Sequence, residues 1–462
     1  MDLAGFPMDE ALPQVEIASD GLLMREVFQK CLNPNGTNRH EVKDCVVTRI
    51  RHRPATRCIL QYRLILRDSK TSVERFQWAS VIIYPAGRAE HIWKKLRKRA
   101  RSIGLDGCFR AFEPVAFVPE LKMLVQFFPY DRRLPALALL MNGRAPEVEA
   151  LFPAQFGGST WHIDQWSANP VRYRTGVAGV LHYEVHARNT VTGRRDEKHF
   201  FAKVYRDEKG EESYKVHQSL WDADTGKGER FLVPRPIAYL RDLRVLVQEA
   251  AFGISFQQIL ITGPDPEAVS AARKVARALA ALHLSIIPTS RTHHVQDEIR
   301  VLEGRARTLK WCNPALTKEI DYVVRAVTSS FADVPLRPSH LDLNTDHILF
   351  DRDRHTLLDF DSFALADPLL DVAHVLAQLR SMSFRFGVPI DRLRQVCDAF
   401  REEYFAHVPG DWRNRLSAYY AGAVLNAALG FFRRQEPQWP ATVASLIAEA
   451  KSSLSERGGL SA

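Results

Sequence analysis

Cysteine is sparse in this 462-residue chain: Cys31, Cys45, Cys58, Cys108, Cys312 and Cys397 are scattered, and no two form a Cys-x-x-Cys pair. That spacing excludes thiolate zinc knuckles and dithiol redox motifs, and a chain of this length needs no disulfide staples. The six are read as reduced core thiols. Long apolar runs are also missing. The longest, residues 419–432, is interrupted by Asn426 and two glycines and falls short of the roughly 20 residues that a bilayer-spanning helix needs. The opening MDLAGFPMDE has neither a basic segment nor an apolar one of the kind that marks export, so a cytoplasmic location is expected and no membrane partner.

What the chain does have is an ordinary globular composition: 46% hydrophobic, 10% aromatic and 25% charged residues. This much apolar surface supports a core and excludes disorder as the main state, and the length suggests about three domains or lobes. Lys and Arg exceed Asp and Glu by 63 to 54, a formal charge of +9. The surplus is modest. The basic cluster KKLRKRAR at 94–101 follows a helical stretch and reads as a solvated helix face, so nucleic acid is not an expected partner.

The first half contains a repeat. TRIRHRPATRCILQYRL at 48–64 aligns with PVRYRTGVAGVLHYEV at 170–185 at an offset of 121 residues. Arg51 then meets Arg172, Arg53 meets Arg174, Tyr62 meets Tyr183 and Tyr84 meets Tyr205; one residue of slip later, Pro114, Leu124 and Gln126 meet Pro236, Leu246 and Gln248. Order and spacing held together over such a length point to duplication. In each copy an alternating segment (CILQYRLIL; VLHYEVHA) and a second one (RFQWASVIIY; KHFFAKVY) predict a hairpin, followed by a helix and a Pro-led pair of short strands. The expected order is β, β, α, β, β. From Gly263 the spacing of apolar residues becomes helical and stays so, with one interruption between residues 338 and 361.

That interruption carries the chemistry. In HLDLNTDHILF at 340–350, followed by LLDFDSFALADPLLDVAHVL from Leu357, two short apolar strands predict a hairpin with Asp342 before it and Asp359 and Asp361 at its far end. Carboxylates gathered in one place repel, and a hard cation with oxygen ligands is the usual reason to tolerate them. A magnesium nucleotide fits, with one Asp beside an incoming hydroxyl and another on the metal.

These motifs resemble the catalytic and metal loops of the aminoglycoside phosphotransferase and choline kinase family, which shares the protein-kinase fold. The resemblance spans roughly residues 160–460. It implies an α+β, protein-kinase-like bilobal fold: a degenerate N-lobe-like cap (1–155), a nucleotide-binding N-lobe (156–255) and a helical C-lobe (256–462). It assigns His340 and Asp342 to the catalytic loop, with Asp342 as base, and Asp359 to the metal with Asp361 beside it. Asp367 and Asp371 brace the following helix, and the helix ending at His283 packs beneath. In the nucleotide lobe it makes Lys203 the phosphate-binding lysine, with Glu211 or Glu212 as its acidic partner. Gln248, Glu249 and Ala250 form the adenine hinge, and Gly176 and Gly179 lie in the phosphate-side turn, where small residues let backbone amides approach an anion.

Two departures stand out. Where the family places a metal-binding Asn, five residues after the catalytic Asp, this chain has His347 with Asp346 before it. Imidazole is a poor magnesium ligand and a good one for softer ions. Either His347 ligates, or Asp346 or Asp361 takes over, or turnover is lost. The second departure is Ile82, which stands in the first copy where the second has Lys203. Copy one is therefore expected to act as a cap or docking domain, as in maltokinase-like relatives. The expected function is an ATP-dependent phosphotransferase using Mg²⁺ or Mn²⁺ on a hydroxyl of a sugar, amino alcohol or aminoglycoside. The alternative is a nucleotide-binding pseudokinase acting as an interaction module. Lys203, Asp342 and Asp359 together favour the enzyme.

Overall fold

The first sheet contains β1 (His40–Arg53), β2 (Arg57–Asp68), β3 (Glu74–Ile83), β4 (Val115–Val118) and β5 (Met123–Phe127), in the order β1-β2-β3-β5-β4. The second contains β6 (Trp161–Arg174), β7 (Ala178–Asn189), β8 (Arg195–Tyr205), β9 (Pro236–Leu240) and β10 (Val245–Glu249), in the same order. This is a computed structural model, and it describes residues 9–32, 40–85, 87–102, 111–223, 231–352 and 354–455. Cys108 lies outside them. Cys31, Cys45, Cys58, Cys312 and Cys397 are free thiols, as expected.

The duplication is visible in the backbone. The first three strands begin at 40, 57 and 74 in one copy and at 161, 178 and 195 in the other, and the intervening helices at 88 and 209; each pair is 121 residues apart. Even an irregularity recurs, since the β1–β2 ladder shifts register between Val42 and Asp44 and the β6–β7 ladder between Ile163 and Gln165. A bulge conserved in place is a feature of the unit.

One element of each copy differs from the sequence reading. A long strand precedes the hairpin, so the order is β, β, β, α, β, β. β1 and β6 each carry two register shifts, and every bulge reverses the phase of the alternation, so no period of two survives in HEVKDCVVTRIRHR or WHIDQWSANPVRYR. Both are also edge strands, where charged side chains and a proline such as Pro170 are tolerated.

Each sheet buries one face against the helical segment before it. In copy one Phe28, from the helix Gly21–Cys31, packs edge-on to Tyr62 at 5.1 Å. In copy two Phe152 meets Tyr183 at 5.6 Å, within a core that also takes Leu137, Leu140, Val148, Phe200 and Val247. The second faces differ. In copy one Ile82 is buried with Ile59, Leu124, Tyr84 and Leu96 of the helix Arg88–Ser102, which leaves a dry apolar layer at the place matching Lys203. In copy two the same face carries His182, Glu184, His186, His199, Phe201 and Lys203, all half-buried.

The chain forms two compact units. The first is Met1–Gly210 with Ile237–Val247 and Arg433–Gln435; the second is Glu211–Pro236, Gln248–Phe432 and Glu436–Ala462. Both sheets thus lie in the first, except for Pro236, Gln248 and Glu249 at the ends of β9 and β10. The second is mainly helical, and inside it β11 (Ile254–Ser255), β13 (Ile348–Asp351) and β14 (Arg354–Leu357) form a small sheet, while β12 (Arg337–Ser339) pairs with β15 (Ala364–Ala366). The expected hairpin is present, with Ile348 opposite Leu357. Among the described residues, no helix is long and apolar enough to cross a membrane. The fold is α+β and protein-kinase-like, with an additional N-lobe-like sheet ahead of the matching one.

Candidate active site

The loop from His340 to His347 is fixed by a carboxylate behind it. Asp371, two residues into the helix Leu369–Phe386, is fully buried and accepts the backbone N–H groups of His340 and Leu341, each at 2.6 Å, and the Nε2 of His283 at 3.1 Å. Leu341 has a positive φ of 61°, a costly conformation for a branched residue that these two hydrogen bonds hold in place. Burial works against ionisation of Asp371, but the His283 hydrogen bond and charge, with the His340 N–H, outweigh it and hold the carboxyl below its ordinary range. His283 is in turn bonded to Tyr404 Oη at 2.7 Å.

Asp371 therefore braces the catalytic loop itself, in addition to opening its own helix. Asp371→Ala is expected to cost about 3–5 kcal/mol, the usual effect of orphaning the partners of a buried charge, read as a lower denaturation midpoint. The pH dependence follows from the depressed carboxyl. Its contribution is present above the unfolded aspartate range, near 3.9, and disappears only as pH falls through the lower folded value. Wild type and Asp371→Ala should thus differ most at neutral pH and converge in acid. Asp367 does the simpler job expected of it: Oδ1 caps Leu369 N at 3.0 Å, and Oδ2 takes Tyr419 Oη at 2.5 Å and Arg415.

His340 is fully buried, and its Nε2–H donates to Leu358 O at 2.9 Å. Burial is the main reason its pKa lies below the histidine range, so the ring is neutral. It ties the loop to Leu358, just after β14.

Asp342 is half-buried. Asn344 Nδ2 donates to its Oδ1 at 3.2 Å and its O at 3.1 Å, and Asn344 Oδ1 accepts from His374 Nε2 at 3.3 Å. Neither Asn344 nor His374 was anticipated; an Asn two residues after an Asp is common in turns and gives no separate signal.

His347 is buried, and its Nδ1 lies 3.0 Å from Asp342 O. A carbonyl can only accept, so Nδ1 carries a proton, and Nε2 faces Asp359 Oδ2 at 3.8 Å, with Asp346 Oδ1 at 3.9 Å. This is the arrangement of a ligating histidine whose other nitrogen donates to a backbone carbonyl. Asp359 has a left-handed backbone, φ 68° and ψ 59°, and its side chain is 23% exposed. Asp361 is tied by its carbonyl to Arg291 at 2.6 Å. Among the described residues, no three donors at this hairpin come within 4.8 Å of one another, so the expected convergence of three carboxylates is reduced to a facing pair, His347 and Asp359.

The nucleotide-side residues are placed as follows. Lys203 is half-buried on β8, its Nζ 5.6 Å from the Tyr205 ring centre. Glu212 accepts from Ser290 Oγ at 3.0 Å and from Ser290 N and Thr289 Oγ1 at 3.4 Å, and Glu211 pairs with Lys215. Gln248, Glu249 and Ala250 are half-buried; the Glu249 N–H donates to Arg235 O and its carboxylate meets the Arg235 guanidinium, both at 2.9 Å.

The phosphate-side turn departs from expectation. Gly176 gives its N–H to Asp131 Oδ2 at 2.6 Å, and Tyr173 Oη donates to the same oxygen at 2.9 Å. Gln61 of copy one accepts the Thr175 N–H at 3.0 Å and its hydroxyl at 3.1 Å, and donates to Tyr173 O at 2.9 Å. A Cβ on Gly179 would stand 2.6 Å from Leu137. The small residues thus admit copy one and the segment joining the copies, and the Gly176 amide is committed to a carboxylate of this chain.

A kinase-like sheet, followed by a braced His-x-Asp loop and a hairpin ending in an aspartate, defines a phosphotransferase. Residues 187–415 match the phosphotransferase enzyme family, APH, and that part of the chain is a domain of this family. No curated protein matches the sequence. Similar solved structures include a choline/ethanolamine kinase family protein from Mesorhizobium loti, 14% identical, covering 68% of this chain and 95% of that one at a TM-score of 0.42. An ethanolamine kinase from Plasmodium vivax is 11% identical, covering 70% and 95% at 0.44. A choline kinase from Streptococcus pneumoniae is 13% identical, covering 68% and 98% at 0.43.

Proposed function

We propose that the chain transfers the terminal phosphoryl group of ATP to a hydroxyl of a small molecule: a sugar, an amino alcohol or an aminoglycoside. The observation that carries this reading is the braced loop, which presents Asp342 with its carboxylate held by Asn344 and the preceding backbone of His340 and Leu341 anchored by Asp371. A base placed in this way can take the proton of an acceptor hydroxyl as the phosphorus–oxygen bond forms. Lys203 is the group to neutralise phosphate charge, and Gln248, Glu249 and Ala250 the backbone to meet adenine. Glu212, held by Ser290, orders the start of its helix. Gly176 drops out of the nucleotide set while Asp131 holds its amide.

Asp359 and His347 suit a divalent cation, Mg²⁺ or Mn²⁺, with Asp361 as a neighbour. The donor pair is one carboxylate oxygen and one imidazole nitrogen 3.8 Å apart, which fits an ion that keeps several waters. When bound, such an ion would neutralise charge on the phosphates. Everything else in the step rests on the chain's own groups.

The test is ATP consumption with each acceptor class, in magnesium and in manganese. Turnover with one class supports the reading, and no turnover with any of them, while ATP still binds, supports the interaction module. Imidazole suits the softer ion, so wild type should be faster in manganese and His347→Asn should shift the preference toward magnesium. Identical metal preference in the two proteins removes His347 from the metal.

A further inference from the structure

The duplicated unit begins ahead of its sheets. DEALP at 9–13 matches DRRLP at 131–135, and each is followed by a helix of 6 residues, Gln14–Ser19 and Ala136–Met141. The aspartate makes the same bonds in both copies. Asp9 Oδ1 accepts the Ala11 N–H at 3.1 Å, while Oδ2 accepts the Ala55 N–H at 3.0 Å and lies 2.7 Å from His52 Nε2. Asp131 Oδ1 accepts the Arg133 N–H at 2.8 Å, while Oδ2 accepts the Gly176 N–H at 2.6 Å and Tyr173 Oη at 2.9 Å. Ala55 and Gly176 are matching residues of the turn between the first two strands of each sheet, and both have a left-handed backbone, φ 53° and 60°. Copy one has Ile82 in place of the phosphate-binding lysine, yet its turn is held in the same way. The carboxylate is therefore a lock belonging to the unit, and it does not stand in for a bound phosphate.

The turn of copy two is held a second time, by copy one. Gln61, on β2, accepts the Thr175 N–H at 3.0 Å and its hydroxyl at 3.1 Å, and donates to Tyr173 O at 2.9 Å. Arg51, on β1, donates to Thr175 O. Gln61, Asp131, Tyr173 and Thr175 are all buried, so breaking these bonds leaves polar groups unpaired and away from water, which is costly.

We propose that Asp131, Gln61 and Arg51 are positioning residues for the nucleotide, holding residues 173–176 in the shape that receives it, and that copy one is the brace of the nucleotide lobe. The inference rests on the phosphotransferase reading, in which this turn lies on the phosphate side. A turn already fixed by its own chain is not ordered at the expense of ligand binding, whereas a loosened one is, and affinity falls accordingly. The effect is confined to the nucleotide, because the acceptor and its base belong to the loop that Asp371 anchors.

The full chain is followed by hydrogen–deuterium exchange over residues 173–177 and by calorimetry with ATP. In Asp131→Asn the side-chain NH₂ must face either the Arg133 or the Gly176 N–H, and Gln61→Leu removes both hydrogen-bonding functions at similar bulk. Each should speed exchange over 173–177 by about 5- to 100-fold, the range for buried donors that lose an acceptor. Each should also weaken ATP by about 10-fold while kcat at saturating ATP stays within about twofold, the pattern of lost ground-state binding. Asp9→Asn is the internal control: it should speed exchange over 52–56 and leave ATP affinity unchanged, which separates positioning from general loosening. Should Asp131→Asn or Gln61→Leu not fold, Thr175→Val, which gives up one hydrogen bond to Gln61, is read instead and should shift both measurements in the same direction. Unchanged exchange over 173–177, faster exchange with unchanged ATP affinity, or an equal loss of ATP affinity in Asp9→Asn would overturn the proposal alone. A wild type that binds no ATP would overturn the phosphotransferase reading, and the positioning role with it.

Discussion

Asp342→Asn is expected to lower phosphoryl transfer by about 10²- to 10⁴-fold, the usual effect of losing a general base, with ATP binding retained. The substitution is nearly isosteric, so the loop should keep its shape. Asp371 still accepts the His340 and Leu341 amides, and Asn344 Nδ2 can still donate to the remaining side-chain oxygen. What disappears is the capacity to accept a proton from an acceptor hydroxyl. Rates under saturating ATP and acceptor, set beside nucleotide affinity from calorimetry, separate the two effects. A variant keeping more than about half of the wild-type rate would remove Asp342 from the base role.

Lys203→Ala is expected to weaken productive ATP use by about 10²- to 10³-fold, as the loss of one preorganised donor to a developing charge does elsewhere. Ile82→Ala, at the matching position of copy one, should leave ATP affinity unchanged. Its effect lies in stability. Ile82 is 3% exposed, among Ile59, Leu124 and Leu96, and truncating such a side chain costs about 2–5 kcal/mol. The pair of variants therefore exchanges phenotypes: one folds normally and fails with nucleotide, the other melts early and works. ATP crosslinked beside Ile82 would reverse the assignment of the two copies.

The repeat, the two hairpins, the helical second half and the loop containing Asp342 and Asp359 are local patterns, and the sequence alone determined them. Apolar alternation survives wherever a regular strand has one dry face, as in CILQYRLIL and KHFFAKVY. It failed at β1 and β6, where bulges reset the phase and an edge position relaxes the demand for apolar residues. The family relation was legible for the same reason: the His-x-Asp loop, the hairpin and the acidic helix start lie close together in the chain.

Contacts between distant segments were decided only by tertiary structure. Nothing in RYRTGVAGVLHY reveals that Asp131 and Gln61, 45 and 114 residues away, take up the amides of the phosphate-side turn. The same holds for Asp371, whose helix-start position is readable in DPLLD but whose hydrogen bonds cross 30 residues back to the catalytic loop. Glycine spacing states where a backbone can be approached, and packing alone selects what approaches it.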